Sequence, residues 1–324
     1  MAKNDIYPPP ASTQSQTADV SQCEWEEHAG ACLWEGDSTS IIQCQRCGFA
    51  HIIPLPDEDE LARFYGEAFY QREKSNYFNQ SKADTEWLNL IFSDRYQTFE
   101  QLLGGRSGRL LDVGCGPGDC LYTGQERGWQ VIGVEPAPIA VVYARQRGLD
   151  VREGSIWRED LAASGKFDVV HMSEVLEHVR DPHAIIARSL ELLTPHGLLA
   201  VSVPNDFNPL QRVLCEQGGH ASWWVSPRHH LNYFNFDSLK RLFYKHGLEP
   251  VVCEASFPME LFLLMGDNYV ADPELGPKMH EKRKRLEQML ARAGQNELRR
   301  EIYRALACLG IGRIALVVGR RSDR

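Results

Sequence analysis

From residue 109 onward, short runs of apolar residues alternate with longer segments in which apolar residues recur every three or four positions. The short runs predict strands, and the longer segments predict helices between them. Such alternation is typical of an α/β fold in which helices cover both faces of a mostly parallel sheet. Seven strands are predicted, at residues 110–113, 130–134, 149–152, 167–171, 197–203, 249–254 and 314–318.

Helical periodicity also flanks this region. Two helices are predicted ahead of the sheet, at residues 57–70 and 82–103. Two more are predicted at residues 277–293 and 297–309, because compact domains rarely leave a connection of about sixty residues unstructured. The second pair forms a C-terminal helical insertion before the last strand.

The N-terminal segment follows neither pattern. Residues 1–20 are rich in Pro, Ser, Thr and Gln, which predicts a disordered tail. Residues 21–56 contain four cysteines and short strand-like runs, which predict a small cysteine module. The chain is therefore divided into the tail 1–20, the cysteine module 21–56, a helical linker or lid 57–105, the main domain 106–255, and the C-terminal helices and last strand 256–324.

Charge and composition restrict the partners. The formal net charge of −9 argues against nucleic acid, because phosphate contacts need clustered Lys and Arg side chains. No apolar leader is recognised, and no run reaches the roughly 18 apolar residues of a membrane span. We therefore expect a cytoplasmic protein with reduced cysteines, in which close cysteine pairs indicate metal binding rather than disulfides.

A glycine-rich turn follows the first strand of the main domain. The strand ends near Asp112, and Gly114, Gly116 and Gly118 follow at every second position before a helix begins. Glycines let the backbone turn sharply and approach a ligand, and the helix N-terminus adds free N–H groups. Glu135 ends the next strand, where an acid can accept hydrogen bonds from ribose hydroxyls.

The segment LLDVGCGPGDC, at residues 110–120, resembles the first motif of the class I S-adenosylmethionine-dependent methyltransferases. The resemblance implies a Rossmann-like fold, S-adenosylmethionine as cofactor, and methyl transfer to a small-molecule acceptor. It also implies that the three glycines wrap the methionine part of the cofactor. Asp112 would help to fix the methionine amino group, and Glu135 would bind the ribose.

Downstream segments extend the resemblance. FDVVHMSEVLEHVRDP, at residues 167–182, is similar to the fourth-strand motif of ubiquinone-biosynthesis O-methyltransferases. One position departs from the family, which usually has Gly-Asp after the third strand where this chain has Gly154 and Ser155. Ser155 is therefore expected near the adenine amine, and Ile156 is expected to pack against the adenine ring.

Methyl transfer from a sulfonium depends on alignment, and it needs a base only when the acceptor is a hydroxyl or a carbon acid. Glu174 and His178 are four residues apart on a predicted helix, where the carboxylate could orient the imidazole. His230 lies on a loop that the resemblance places over the substrate pocket. Glu174, His178 and His230 are the catalytic candidates; the alternative for the first two is an ordinary pair on one helix face.

The acceptor is less constrained. Trp223 and Trp224 are adjacent on a loop and would form either an aromatic lid that stacks on a sugar or ordinary core packing. The cysteine module also resembles that of sugar C-methyltransferases. A sugar, a glycan or a secondary metabolite is therefore the hypothesis for the acceptor.

Cys44 and Cys47 have the spacing of a zinc knuckle. Because zinc normally takes four ligands, Cys23 and Cys32 are expected to complete the set, with His28 as a substitute. Such a closed site would be structural. The alternative is a vestigial knuckle that holds no metal.

Two other functions stay open. The chain could be a catalytically inactive cofactor-binding scaffold, although the intact glycine loop and Glu135 count against that function. It could also be a nicotinamide-dependent oxidoreductase, although the G-x-G-x-G spacing differs from the G-x-G-x-x-G of dinucleotide folds.

Overall fold

The computed structural model describes residues 22–57 and 83–321. The predicted tail, and all but the first residue of the predicted helix at 57–70, lie outside the described residues. Two sheets are present among the described residues. The smaller contains β1 (Gln22–Trp25), β2 (His28–Glu35), β3 (Ser40–Cys44), β4 (Ala50–Ile53) and the late strand β10 (Asn232–Tyr233).

The larger sheet has seven strands in the order β11-β12-β9-β8-β5-β6-β7. Neighbouring strands run parallel except around β12, which is antiparallel to both β11 and β9. The strands are β5 (Arg109–Val113), β6 (Gln130–Glu135), β7 (Val151–Glu153), β8 (Phe167–Ser173), β9 (Leu193–Pro204), β11 (Leu248–Ala255) and β12 (Ile314–Arg321). All seven predicted strands are confirmed, with boundaries that move by a few residues.

Ten α-helices occur in the described residues, and they connect and cover the strands. They are α1 (Thr85–Leu102), α2 (Asp119–Glu126), α3 (Pro138–Gln146), α4 (Glu159–Ala163), α5 (Pro182–Leu192), α6 (Pro209–Glu216), α7 (Phe236–Lys245), α8 (Glu260–Leu264), α9 (Leu275–Arg292) and α10 (Asn296–Cys308). The helical insertion before the last strand is thus confirmed as α9 and α10. None of the described helices is both long enough and apolar enough to cross a membrane.

Alternate residues of the central strands enter two separate apolar clusters. Leu111 and Leu199 belong to one cluster, and their neighbours Leu110 and Leu198 belong to the other. This period of two is expected when helices cover both faces of a parallel sheet. Helix α1, which the sequence assigned to a linker or lid, contributes Tyr96 to the second cluster and is therefore part of the core.

The cysteine module is completed by a strand from the main domain. β10 pairs with β4, so that Asn232 lies opposite His51 and Tyr233 lies opposite Ala50. The side-chain amide of Asn232 also donates to the backbone carbonyl of Leu176, just beyond the end of β8. The module is thereby fixed beside the carboxyl ends of the main strands.

A buried ion pair joins the C-terminal helices to α1. Arg299 of α10 lies 2.7 Å from the carboxylate of Asp94 on α1, and both side chains are largely withdrawn from water. Burial raises the pKa of Asp94, and the Arg299 charge opposes that rise. Loss of either partner would leave the other charge buried without compensation.

Replacing Asp94 by Asn should lower the free energy of unfolding by about 3 kcal/mol, because the Arg299 charge stays buried without its counter-ion. The matched control is Asp267→Asn, which removes an exposed pair with Lys282 at 3.1 Å. That change should cost less than about 1 kcal/mol. Urea unfolding followed by circular dichroism measures both values, and equal losses would contradict the structural role of the Asp94–Arg299 pair.

Candidate functional site

A cavity of about 1480 Å³ opens at the carboxyl ends of β5, β6 and β8. Ligands of open α/β sheets bind at this edge, where the strand order reverses. The volume exceeds the roughly 300–1,000 Å³ that is typical of a pocket for one ligand. The cavity can therefore hold a cofactor and an acceptor together.

The predicted glycine loop forms one wall of this cavity. Gly114, Gly116 and Gly118 have φ angles of 68°, 53° and 84°, in the left-handed region that favours glycine. The backbone N–H of Gly114 donates to the carbonyl of Val134 at 2.8 Å, which ties the loop to β6. Gly118 caps the N-terminus of α2, while Gly114 and Gly116 line the cavity.

Glu135 lies at the end of β6, where its buried carboxylate connects two backbone segments. One oxygen accepts the N–H of Gly116 at 2.9 Å, and the other accepts the N–H of Ala137 at 3.0 Å. Burial raises the pKa of Glu135, and these two hydrogen bonds oppose that rise. Each carboxylate oxygen can accept more than one hydrogen bond, so both keep capacity for a ribose hydroxyl.

Asp112 is held by a partner that the sequence did not reveal. Its Oδ1 lies 2.7 Å from Nδ1 of His171, and Nε2 of the same imidazole lies 2.8 Å from Nη1 of Arg95. Because Arg95 can only donate, Nε2 of His171 accepts its hydrogen bond. The Nδ1–H of His171 therefore donates to Asp112. Arg95 lies on α1, and no local pattern in the sequence connects it to the glycine loop.

The predicted adenine contacts differ in their exposure. Ser155 is exposed and lines the cavity, and its hydroxyl accepts the N–H of Trp157 at 3.4 Å. Ile156 also lines the cavity, but only 1% of its surface is accessible, because it packs into the main apolar cluster. Their roles toward adenine stay predictions.

The predicted helical pair of Glu174 and His178 is wrong. Glu174 has a left-handed φ of 56°, and a single 3-10 turn follows at Leu176–His178. A spacing of four residues brings side chains together only within a continuous α-helix. The acid near His178 is instead Glu177, whose Oε1 lies 3.8 Å from Nε2 of His178.

His178 nevertheless lines the cavity in a defined tautomer. Its Nδ1 lies 2.7 Å from the backbone carbonyl of His229, which can only accept, so Nδ1 carries a proton. His230 packs edge-on against it, with ring centroids 5.1 Å apart. Glu174 lines the cavity as well, whereas His230 is not among its described lining residues. Ligand atoms of Glu177, His178 and His230 lie within 4.8 Å of one another, close enough to hold a metal ion.

The predicted set of four zinc cysteines does not converge. Cys44 and Cys47 lie together, whereas Cys23 and Cys32 form a separate group with the exposed Glu35. The register of β2 and β3 explains the separation. Cys44 pairs with Gly30, and Cys32 pairs with Ile42. Cys32 therefore lies two residues, or about 7 Å, along β2 from the position opposite Cys44.

Two histidines take the places of the missing cysteines. Nδ1 of His28 lies 3.6 Å from Sγ of Cys44, 3.5 Å from Sγ of Cys47 and 3.1 Å from Nε2 of His51. Tetrahedral zinc with Zn–S near 2.3 Å and Zn–N near 2.0–2.1 Å requires edges of about 3.5 Å between N and S and about 3.3 Å between two N atoms. The observed separations fit a zinc tetrahedron.

The orientation of His51 supports the same set. Its Nδ1 lies 2.8 Å from the backbone carbonyl of Ile52, and its Nε2 points toward Nδ1 of His28 and lies within 4.8 Å of both thiols. His28 was predicted as a substitute ligand, whereas His51 was not. Its position four residues after Cys47 was the available signal.

The predicted aromatic lid is not part of the cavity. Trp223 and Trp224 pack against each other with ring centroids 4.9 Å apart, and Trp224 packs against Phe207. Neither tryptophan is among the described residues that line the cavity.

Known proteins match the region that forms the cavity. The methyltransferase domain family matches residues 85–254. A ubiquinone biosynthesis O-methyltransferase from Cereibacter sphaeroides is 39% identical over 153 residues, which cover 44% of this chain and 61% of that protein. The enzyme of the same name from Ruegeria pomeroyi is 36% identical over 151 residues, covering 44% and 60%. The match thus spans about three fifths of the length of these curated relatives.

A solved structure agrees with the fold. The plantazolicin methyltransferase BamL, in complex with a triazolic desmethylPZN analog and SAH, is 15% identical with a TM-score of 0.50, covering 82% of this chain and 97% of that one. At that identity the likeness concerns the fold alone. The family match, by contrast, includes β5 with its glycine loop, Glu135 and His178 within more than half of the chain. The chain therefore belongs to the methyltransferase domain family, within the class I S-adenosylmethionine-dependent methyltransferases.

Proposed function

We propose that this protein transfers the methyl group of S-adenosylmethionine to a hydroxyl oxygen of a small-molecule acceptor. The observation that carries the proposal is a single cavity lined by the glycine loop, by Glu135 and by the imidazole of His178. The names of the matched relatives, which are O-methyltransferases, support oxygen as the acceptor atom. A sugar or glycan acceptor has less support, because the tryptophans that suggested it pack away from the cavity.

The chemistry asks the protein mainly for alignment. The acceptor oxygen forms a bond to the methyl carbon while the carbon–sulfur bond breaks, and the electron pair stays on sulfur as neutral S-adenosylhomocysteine. The hydroxyl proton goes to Nε2 of His178, the ring nitrogen that does not donate to the carbonyl of His229. Glu135 and the glycine loop hold the donor, so that the reaction occurs between two bound partners.

The cofactor site predicts the effect of a loop substitution. Gly116→Ala should weaken the binding of S-adenosylhomocysteine by at least about tenfold, because Gly116 lines the cavity and a residue with a Cβ disfavours a φ of 53°. The matched control is Gly148→Ala, at a φ of 78° with no atom within 4 Å of the added Cβ. Calorimetric titration measures the affinity of both variants. The control carries similar backbone strain outside the glycine loop, so its affinity should stay unchanged. An equal loss of affinity in both variants would contradict the role of Gly116.

Glu135→Gln should reduce the affinity for S-adenosylhomocysteine by about 1–3 kcal/mol, because an amide accepts fewer hydrogen bonds from ribose than a carboxylate does. The same titration measures the loss. An unchanged affinity would show that Glu135 serves only the loop. No binding to the wild-type protein, with its fold verified, would overturn the proposed function.

His178→Gln should lower kcat by about 10²–10⁴-fold while the affinity for S-adenosylhomocysteine stays the same, because only the general base is lost. The assay follows transfer of a labelled methyl group to a panel of phenols, catechols and sugars. His196→Gln, at an exposed position near the start of β9, is the matched control. A normal rate in His178→Gln would assign proton removal to another group.

We also propose that His28, Cys44, Cys47 and His51 hold a structural zinc ion. Zinc bound there would fix the module against the main domain. The backbone carbonyl of Cys47 lies 3.1 Å from Nε2 of His183 on α5, and Phe49 packs on Phe234 with ring centroids 4.8 Å apart. Because the four side chains close the tetrahedron, the metal would leave no position for substrate.

The zinc proposal predicts a difference between neighbouring cysteines. The purified protein should contain one zinc per chain, and Cys44→Ser should lose it and lower the melting temperature. Cys23→Ser, in the separate group with Cys32, should keep the full zinc content. Metal analysis and thermal unfolding measure both effects, and equal zinc loss in the two variants would contradict the ligand set.

A further inference from the structure

Part of the cavity wall is left over when the cofactor contacts are assigned. Trp87 of α1, His280 and Arg283 of α9, and Arg313 just before β12 line the cavity, and we call these four residues the acceptor wall. None of them belongs to the glycine loop or touches Glu135 in the described residues. We assign the acceptor wall to the methyl acceptor, because none of its residues is among the predicted cofactor contacts.

The guanidinium of Arg283 is held in place from two sides. Its Nε donates to Nδ1 of His280 at 2.9 Å, and Nε2 of that imidazole donates to the carboxylate of Asp84 at 2.9 Å. The guanidinium also lies over the ring of Trp87, 4.7 Å from its centroid. Its two terminal nitrogens make no hydrogen bond to the described residues, so a planar fork is fixed and its donors are available.

A second guanidinium faces the same space. No carboxylate of the described part of the chain lies within 4.0 Å of Arg283 or Arg313. Burial lowers the pKa of Arg283, and the like charge of Arg313 lowers it further, whereas Glu287, Tyr303 and Glu174 raise it. Glu287 is already bonded to the indole N–H of Trp87 and to the hydroxyl of Tyr303.

The buried carboxyl group of Asp206 interacts with the charge of Arg313. Burial raises the pKa of Asp206 to about 8, with Arg313 opposing and Glu260 adding to the rise. Arg283 and Arg313 therefore line one cavity with no carboxylate of the described residues within 4.0 Å of either, and an anionic ligand bound there would interact favourably with both charges.

We propose that the acceptor carries an anionic oxygen group, a carboxylate or a phosphate, that Arg283 and Arg313 bind. The proposal rests on the proposed methyl transfer and names the class of acceptor. Paired guanidinium donors recognise the oxygens of either group by charge-assisted hydrogen bonds. The anion would fix one end of the acceptor, and the hydroxyl at the other end would face His178.

Benzoate, phenyl phosphate and neutral benzamide test the proposal as probes in ligand-observed NMR titrations of the protein saturated with S-adenosylhomocysteine. One or both anions should bind at least about tenfold more tightly than benzamide. Arg283→Gln and Arg313→Gln should each remove that preference. Arg285→Gln, an exposed position on the same helix, should keep it. Preference for benzoate identifies a carboxylate acceptor, and preference for phenyl phosphate identifies a phosphate acceptor.

Three results would overturn the proposal: equal binding of benzamide and the anions, an equal loss in Arg285→Gln, or loss of S-adenosylhomocysteine affinity in Arg283→Gln, which would assign that guanidinium to the cofactor. Arg313→Gln keeps the test decisive if Arg283→Gln unfolds, because Arg313 is exposed. Binding of S-adenosylhomocysteine without anion preference would leave the methyl-transfer proposal intact. Anion binding without S-adenosylhomocysteine binding would refute methyl transfer instead.

Discussion

At the carboxyl end of β6, the buried carboxylate of Glu135 accepts backbone N–H groups from two segments that would otherwise be free to move. One N–H belongs to Gly116, in the loop after β5, and the other belongs to Ala137, at the start of α3. The loop can keep its left-handed glycines in one arrangement because this carboxylate and the carbonyl of Val134 hold it from the side. A single acid thus shapes the loop and presents its remaining lone pairs to a ribose.

The other walls of the cavity are arranged around this fixed edge. Arg95 of α1 bonds to His171, and His171 bonds to Asp112. A residue of α1 thus helps to orient an acid on the cofactor side of the cavity. The turn after β8 places His178 on the same cavity, and β10 ties that turn to the cysteine module. Helix α10 is joined to α1 by the Asp94–Arg299 pair, and His280 and Lys284 of α9 pair with Asp84 at the start of α1. The acceptor wall is therefore positioned by α1 and by the helical insertion before the last strand.

The sequence predicted the parts of this structure that local patterns determine. Seven strands, the helices before the last strand and the glycine loop follow from periodicity and from glycine spacing. The prediction that Glu174 and His178 share one helix face was wrong, because the chain leaves β8 through a left-handed residue and a 3-10 turn. Helical spacing cannot indicate such a turn. The prediction that four cysteines form one zinc site was wrong, because strand register, and not the number of cysteines, decides which side chains meet. Arg95, Arg283 and Arg313 reach the cavity only through tertiary packing.

A crystal structure of the protein with S-adenosylhomocysteine tests the central claim most directly. We expect both ribose hydroxyls within hydrogen-bond distance of Glu135 and the sulfur facing the part of the cavity that contains His178. The methionine part should follow the loop between Gly114 and Gly116, with its amino group near Asp112. A ligand bound away from this loop, or with its ribose out of reach of Glu135, would contradict the account.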